Sequence, residues 1–189
     1  MAMIPPQLLA LIDQRMAQKS RVNLAIDGPC GAGKSTLGKR LHQYYKDSAL
    51  FHMDDFFLQP HQRTVARLME PGGNVDRERF LSEVLVFLQT AQPFSYQRYD
   101  CQSGLMSTLL AQPANLNICE GVYSLHPELI DHFTLRVFLD IDSLTQMIRI
   151  RKRVLPDRVN RFQTEWIPME QRYFNAFSIR ESCDLILRL

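Results

Sequence analysis

Eight consecutive residues, Gly28-Pro29-Cys30-Gly31-Ala32-Gly33-Lys34-Ser35, fit the spacing G-x-x-x-x-G-K-[ST]. Glycines without a Cβ let successive backbone amides turn inward around phosphate oxygens, and a helix beginning at the lysine adds the positive end of its dipole. With Thr36 included, the loop is expected to hold a nucleoside triphosphate. Lys34 would bridge its β- and γ-phosphates, and the Ser35 hydroxyl would ligate Mg²⁺. The bland reading is a glycine-rich turn with a solvated lysine. The short branched run Val22 to Asp27 before the loop and the helical period of Leu37, Leu41 and Tyr44 after it argue against that, because phosphate binding requires strand, loop and helix in this order.

Carboxylates recur after the other strand candidates. Asp54 and Asp55 follow Ala49 to Met53, Glu120 follows Asn115 to Cys119, and Asp140 to Asp142 follow Thr134 to Phe138. In an open parallel sheet the strand carboxyl ends share one edge, where ligands bind, so Asp54 and Glu120 are expected to face the triphosphate and, with Ser35, the metal. Phosphoryl transfer needs one carboxylate to orient and deprotonate an acceptor hydroxyl and others to hold Mg²⁺ directly or through water. Asp142 reads instead as the cap of a helix over Ser143 to Arg153.

Six cations, Arg149, Arg151, Lys152, Arg153, Arg158 and Arg161, fall within thirteen residues with Asp157 as the single acid. Such a run is commonly a solvated helix face. Beside a phosphate loop it reads as a lid, expected over about 149–167, whose arginines share the charge of a transferring phosphoryl group and exclude water.

The elements that must position these groups alternate. An amphipathic helix over residues 1–20, opened by Pro5 and Pro6, precedes the first strand and is expected to pack on the core rather than serve as a signal peptide. Helical period returns over Arg77 to Gln89, Pro168 opens a last helix, and Cys183 to Leu189 closes the chain as a strand. Alternation of strands and helices predicts an α/β, three-layer, doubly wound parallel sheet, with residues 21–189 forming one domain. The size of 189 residues suits that, and 46% hydrophobic with 22% charged residues excludes disorder and fibrous repeats. A net charge of +2 offers no general nucleic-acid or membrane surface. Four separated cysteines and five scattered histidines lack zinc spacing, which predicts a reduced, cytoplasmic protein.

Taken together, GPCGAGKST at Gly28 to Thr36, MDDFF at Met53 to Phe57, CEGVY at Cys119 to Tyr123 and the arginine-rich segment resemble, in this order, the uridine kinase-like branch of P-loop small-molecule kinases. The resemblance spans Val22 to Leu189. It implies a P-loop kinase fold using ATP and Mg²⁺, with Asp54 at the acceptor hydroxyl, Glu120 near metal and substrate, and Arg149 and Arg153 as lid arginines, followed by Arg158 and Arg161. Tyr99-Asp100 looks like the family's Y-D element beside the nucleoside, and Asp76 like its ribose-contacting acid. The histidine that follows Y-D in uridine kinases is replaced here by Cys101-Gln102-Ser103-Gly104, which weakens the case for uridine itself. From the residues alone, Tyr99 reads equally as a half-buried aromatic of a hairpin, and Trp166 as packing. The expected reaction is transfer of the γ-phosphoryl group to a hydroxyl of a nucleoside-like or polyol-like metabolite, with a vitamin precursor or sugar acid as the alternative acceptor. A nucleotide-dependent switch is the rival of another class, and it lacks the N-K-x-D, D-x-x-G and L-S-G-G-Q elements.

Overall fold

A computed structural model describes residues 4–90 and 92–188. In chain order the elements are α1 (Pro6–Gln18), β1 (Val22–Asp27), α2 (Lys34–Tyr44), β2 (Ser48–His52), α3 (Val65–Met69), α4 (Arg77–Phe80), β3 (Phe94–Asp100), β4 (Leu105–Ala111), β5 (Leu116–Glu120), β6 (Leu135–Asp140), α5 (Ser143–Arg153), α6 (Pro156–Arg161), α7 (Ile167–Phe177) and β7 (Leu185–Arg188). A five-stranded parallel sheet runs in the order β2-β5-β1-β6-β7, and β3 with β4 forms a separate antiparallel hairpin.

β1 is buried along its whole length because helices cover both faces of the sheet. Alternate residues point to opposite layers. Leu24 and Ile26 join Leu8 and Ile12 of α1 and Leu37 and Leu41 of α2. Ala25 instead joins Phe51, Phe56, Phe80, Tyr96 and Tyr173 on the other face. This is the expected three-layer α/β arrangement. Since β1 is the central strand, with β5 on one side and β6 on the other, its carboxyl end is where the strand order reverses.

Several boundaries differ from the sequence expectation. The helix expected over Arg77 to Gln89 is regular only to Phe80 and then widens into a π-turn at Leu81–Leu85, where the Val86 N–H reaches back five residues to the Leu81 carbonyl. Pro168 does not open a helix. A continuous helical run extends from Pro156 to Phe177, with a second π-turn at Phe162–Trp166 immediately before α7, and the proline stands at the second residue of α7. The Ile167 N–H bonds the Phe162 carbonyl across this wide turn, so the proline follows a segment already departing from the usual pattern. Glu120 and Asp140, expected just beyond their strands, are the last residues of β5 and β6. Leu189, placed in the closing strand, lies outside the described residues. Asp142 caps α5 as expected, accepting the Thr145 N–H at 2.9 Å.

Candidate active site

The phosphate loop turns on glycine geometry. Gly28 has φ +135°, and a Cβ there would stand 2.3 Å from the Leu139 carbonyl oxygen, so no side chain fits where β1 gives way to the loop. Beneath it, Asp27 is fully buried and accepts the Gly28 N–H at 2.7 Å, the Leu125 N–H at 3.0 Å and the Tyr173 hydroxyl at 2.8 Å. Burial pushes the Asp27 carboxyl upward, while these donors and the Lys34 charge oppose the shift. Both ends of the Cys30 peptide are also held. Its N–H donates to Glu170 of α7 at 2.9 Å, and its carbonyl accepts from Gln146 of α5 at 2.9 Å. The Cys30 thiol is pushed up to about 12 by burial and then by the Glu170 charge, so it is neutral and not a nucleophile.

The loop delivers Lys34 and Ser35 at the first turn of α2. Lys34 Nζ donates to the carbonyls of Gly28 at 2.6 Å and Pro29 at 3.0 Å, a lysine already folded back over its own loop. Ser35 Oγ donates to Glu120 Oε2 at 3.1 Å, and the other Glu120 oxygen meets His52 Nδ1 at 2.5 Å. The Glu120 hydrogen bond is the main influence raising the His52 pKa. Just after β5 comes Gly121 with φ +147°, where a Cβ would collide with Met53 Cβ at 2.4 Å. That close approach packs Glu120 beside the 3₁₀ turn Met53–Phe56 that carries Asp54. Tyr123, a non-glycine residue at φ +77°, is held by the Tyr173 ring at 4.9 Å and completes this strained corner.

Asp54 faces the open water of a cleft of about 1300 Å³ although protein surrounds it on most sides. That low-dielectric surrounding, followed by the Glu120 charge, raises its pKa, whereas Lys34, His52 and Arg153 pull it down. Water nevertheless reaches the carboxylate, which is exposed to the cleft.

The cleft gathers most of the expected residues from distant parts of the chain. Cys30 to Thr36, Asp54, Tyr99, Glu120, Arg149, Arg153, Arg158, Arg161 and Trp166 all line it. Gly28 and Pro29 stand behind the lining and act through their carbonyls on Lys34. Arg149 Nη1 lies 3.2 Å from the Gly31 carbonyl and 3.3 Å from that of Ala32, so α5 clasps the loop. Arg153 sits over the Phe162 ring, and Arg161 over that of Trp166 while pairing with Glu165 at 3.0 Å. Trp166 both packs on Phe162 and lines the cleft.

Asp76 is the exception. It lies outside the lining of this cleft and caps α4 through the Arg79 N–H at 3.1 Å, while its other oxygen accepts Gln62 Nε2 at 2.7 Å and Arg79 Nε at 3.4 Å. Both oxygens of its carboxylate are thus bonded to protein donors. Asp140 is likewise turned away, pairing with Arg188 at 2.8 Å and Arg180 at 3.6 Å. Asp100 accepts the Gln102 N–H and the Ser103 hydroxyl and shapes the hairpin turn.

Sequence reasoning missed Glu170, His52, Arg63 and Asn74. Of these only His52 carried a local signal, one residue before the MDDFF element; the others reach the cleft from segments with no motif.

The donor set suits a hard divalent cation. Ser35, Glu120 and Asp54 offer oxygen only, and among the described residues no group of three histidine, cysteine or carboxylate ligands forms a closed metal cage. Mg²⁺ is ordinarily held by one or two carboxylates together with phosphate oxygens and water, which this open arrangement permits. Among the described residues no helix is long and apolar enough to cross a membrane.

No protein-family model and no curated protein sequence matches the chain. Solved structures do share its fold. A possible uridine kinase from Bacillus stearothermophilus superposes with TM-score 0.71 at 20% identity, covering 96% of this chain and 99% of the other. D-glycerate 3-kinase from Cryptococcus neoformans superposes with TM-score 0.62 at 16% identity, covering 96% and 94%.

Proposed function

We propose that a chain with this fold is an ATP-dependent small-molecule kinase of the uridine kinase-like kind, transferring the γ-phosphoryl group of ATP to a hydroxyl of a nucleoside-like or polyol-like metabolite. The observation that carries the reading is convergence. A phosphate loop with Lys34 and Ser35, a carboxylate pair from Asp54 and Glu120, and four arginines of α5 and α6 meet in one cleft.

Each group has a task set by its surroundings. Cys30 to Thr36 and the start of α2 cradle the phosphates, and Lys34 exchanges its carbonyl partners for phosphate oxygens. Ser35, Glu120 and Asp54 would hold Mg²⁺, which would supply charge neutralisation to the phosphates. Asp54 orients the acceptor hydroxyl and takes its proton. His52 and Ser35 fix the rotamer of Glu120. Arg149 and Arg153, with Arg158 and Arg161 beyond them, place planar donors where phosphoryl charge spreads, and the segment over 149–167 serves as the lid of a single domain spanning 21–189.

The fold does not choose the acceptor, since the similar structures include a possible uridine kinase and a glycerate kinase. The deciding experiment is ADP formation from Mg²⁺-ATP across a panel of nucleosides, vitamins and sugar acids, with Lys34→Ala as control. Acceptor-stimulated turnover that collapses in Lys34→Ala while the fold persists supports the kinase. Slow hydrolysis indifferent to every hydroxyl compound favours a nucleotide switch.

A further inference from the structure

The cleft lining is not all phosphate loop and arginine cluster. Phe57, Leu58 and Tyr99 also line it, together with two polar residues, Arg63 and Asn74. Arg63 ends the 3₁₀ turn Pro60–Gln62 and is half-buried. Neighbouring arginines are neutralised. Arg67 pairs with Glu78 at 2.7 Å, Arg79 with Asp76 at 3.4 Å and Arg98 with Asp55 at 4.0 Å. No carboxylate among the described residues pairs with Arg63. The phosphate end has its own cations in Lys34 and the arginines of α5 and α6, so Arg63 is not needed there. It lies on the Asp54 side of the cleft, for the Cys101 thiol feels both the Arg63 and the Asp54 charges.

Asn74 supplies an independent sign. It is 7% exposed, lines the cleft, and its Oδ1 is buried without a hydrogen-bond partner. Its backbone is fixed, the carbonyl accepting the Leu58 N–H at 3.3 Å. A buried amide oxygen without a donor is rare in folded proteins and calls for a partner.

We propose that the acceptor is a polyhydroxy acid, its carboxylate held by Arg63 and one hydroxyl donating to Asn74 Oδ1. This rests on the kinase reading above. The planar fork of one guanidinium matches a carboxylate in shape and in charge, whereas a phosphate dianion would be left half-compensated. A neutral nucleoside would leave Arg63 without a partner. The reacting hydroxyl oxygen forms a bond to the γ-phosphorus as the bond from that phosphorus to the β,γ-bridging oxygen breaks. ADP departs with the electron pair, and the hydroxyl proton passes to Asp54.

The test compares matched pairs, glycerate with glycerol and gluconate with glucitol, together with uridine and glucose 6-phosphate. ADP formation is followed, and ligand binding is titrated separately by the fluorescence of Trp166, the single tryptophan, which lines the same cleft. An acid is expected to exceed its neutral partner about ten- to hundredfold in kcat/KM, the usual weight of a charge-assisted contact. Arg63→Gln is expected to erase that ratio with the KM for ATP unchanged, and Asn74→Ala to raise the KM for the acid. Among the described residues the Arg63 side chain has no ion-pair partner to lose, so its variant is expected to fold, which the melting temperature checks. Preference for uridine, a neutral polyol or the sugar phosphate, indifferent to Arg63→Gln, overturns the proposal and leaves the kinase standing. If no compound stimulates ADP formation, Trp166 quenching by gluconate but not glucitol, lost in Arg63→Gln, retains the acid site while the kinase reading falls. Absence of any quenching removes both.

Discussion

Glu170 and Cys30, 140 positions apart, are joined by a hydrogen bond of 2.9 Å from the Cys30 N–H to Glu170 Oε2. Through it the last helix holds the first turn of the phosphate loop, while Gln146 of α5 holds the carbonyl of the same residue. The loop is thus braced from both α5 and α7.

Glu170→Ala should therefore leave a loop amide without its acceptor, lowering stability by about 1–3 kcal/mol and raising the KM for ATP as the loop loosens. Glu170→Gln keeps an acceptor oxygen and should retain most of both. Thermal melting and nucleotide titration on the two variants separate the hydrogen bond from the charge, and equal behaviour would show that the bond does not brace the loop.

Asp54 and Glu120 are adjacent acids with different partners, and their variants should fail differently. Asp54→Asn cannot take the hydroxyl proton, so kcat should fall by about 10²–10⁴-fold with nucleotide affinity nearly retained. Glu120→Gln loses a negative charge beside Ser35 and His52 but keeps the base, so its activity should recover at higher Mg²⁺, whereas Asp54→Asn, which loses the base as well as a metal ligand, should not. Mg²⁺ titrations of kcat for both variants check the split.

Arg149 and Arg153 offer planar forks. Lysine preserves charge and loses the second donor plane, so Arg149→Lys and Arg153→Lys should each reduce kcat about tenfold or more at saturating substrates. Parental turnover in both would assign the segment to a solvated helix face.

Asp76 caps α4, and Asp76→Ala should cost about 1 kcal/mol of stability from the lost cap alone. Acceptor and ATP KM values should move little. A selective rise in acceptor KM, measured beside the melting temperature, would return Asp76 to the acceptor site.

His126 is buried, its Nδ1 accepting the Glu128 N–H at 3.2 Å and its ring set 5.2 Å from that of Phe177. Burial, then the Arg77 charge, lowers its pKa to about 4. Between that value and the ordinary histidine range the unfolded chain binds the proton and the folded chain does not. Stability should therefore fall on acidification through this window, by about 1–2 kcal/mol after allowance for solvent screening. His126→Gln should flatten the melting temperature against pH over the same range; an unchanged slope would assign the acid sensitivity to other groups.

What the sequence alone determined are the parts whose causes are local. The phosphate loop is one uninterrupted segment, its glycines needed where a Cβ would strike backbone, and its flanking strand and helix announce themselves by period. α5 was legible to the residue because Asp142 caps it three positions ahead of the amide it accepts. The doubly wound sheet followed from alternation, since parallel strands require covered crossovers. Tertiary structure decided the rest. Helical spacing cannot distinguish an α-turn from the π-turns at Leu81–Leu85 and Phe162–Trp166, because both present apolar residues at similar intervals. The Y-D and acidic elements could not reveal that Tyr99 enters the cleft while Asp76 turns to cap α4, since that choice depends on Gln62 and Arg79 arriving beside it. Glu170, Arg63 and Asn74 belong to no motif at all. Their roles come from long-range proximity, which a chain acquires only when its layers pack and three unrelated segments close around the same volume.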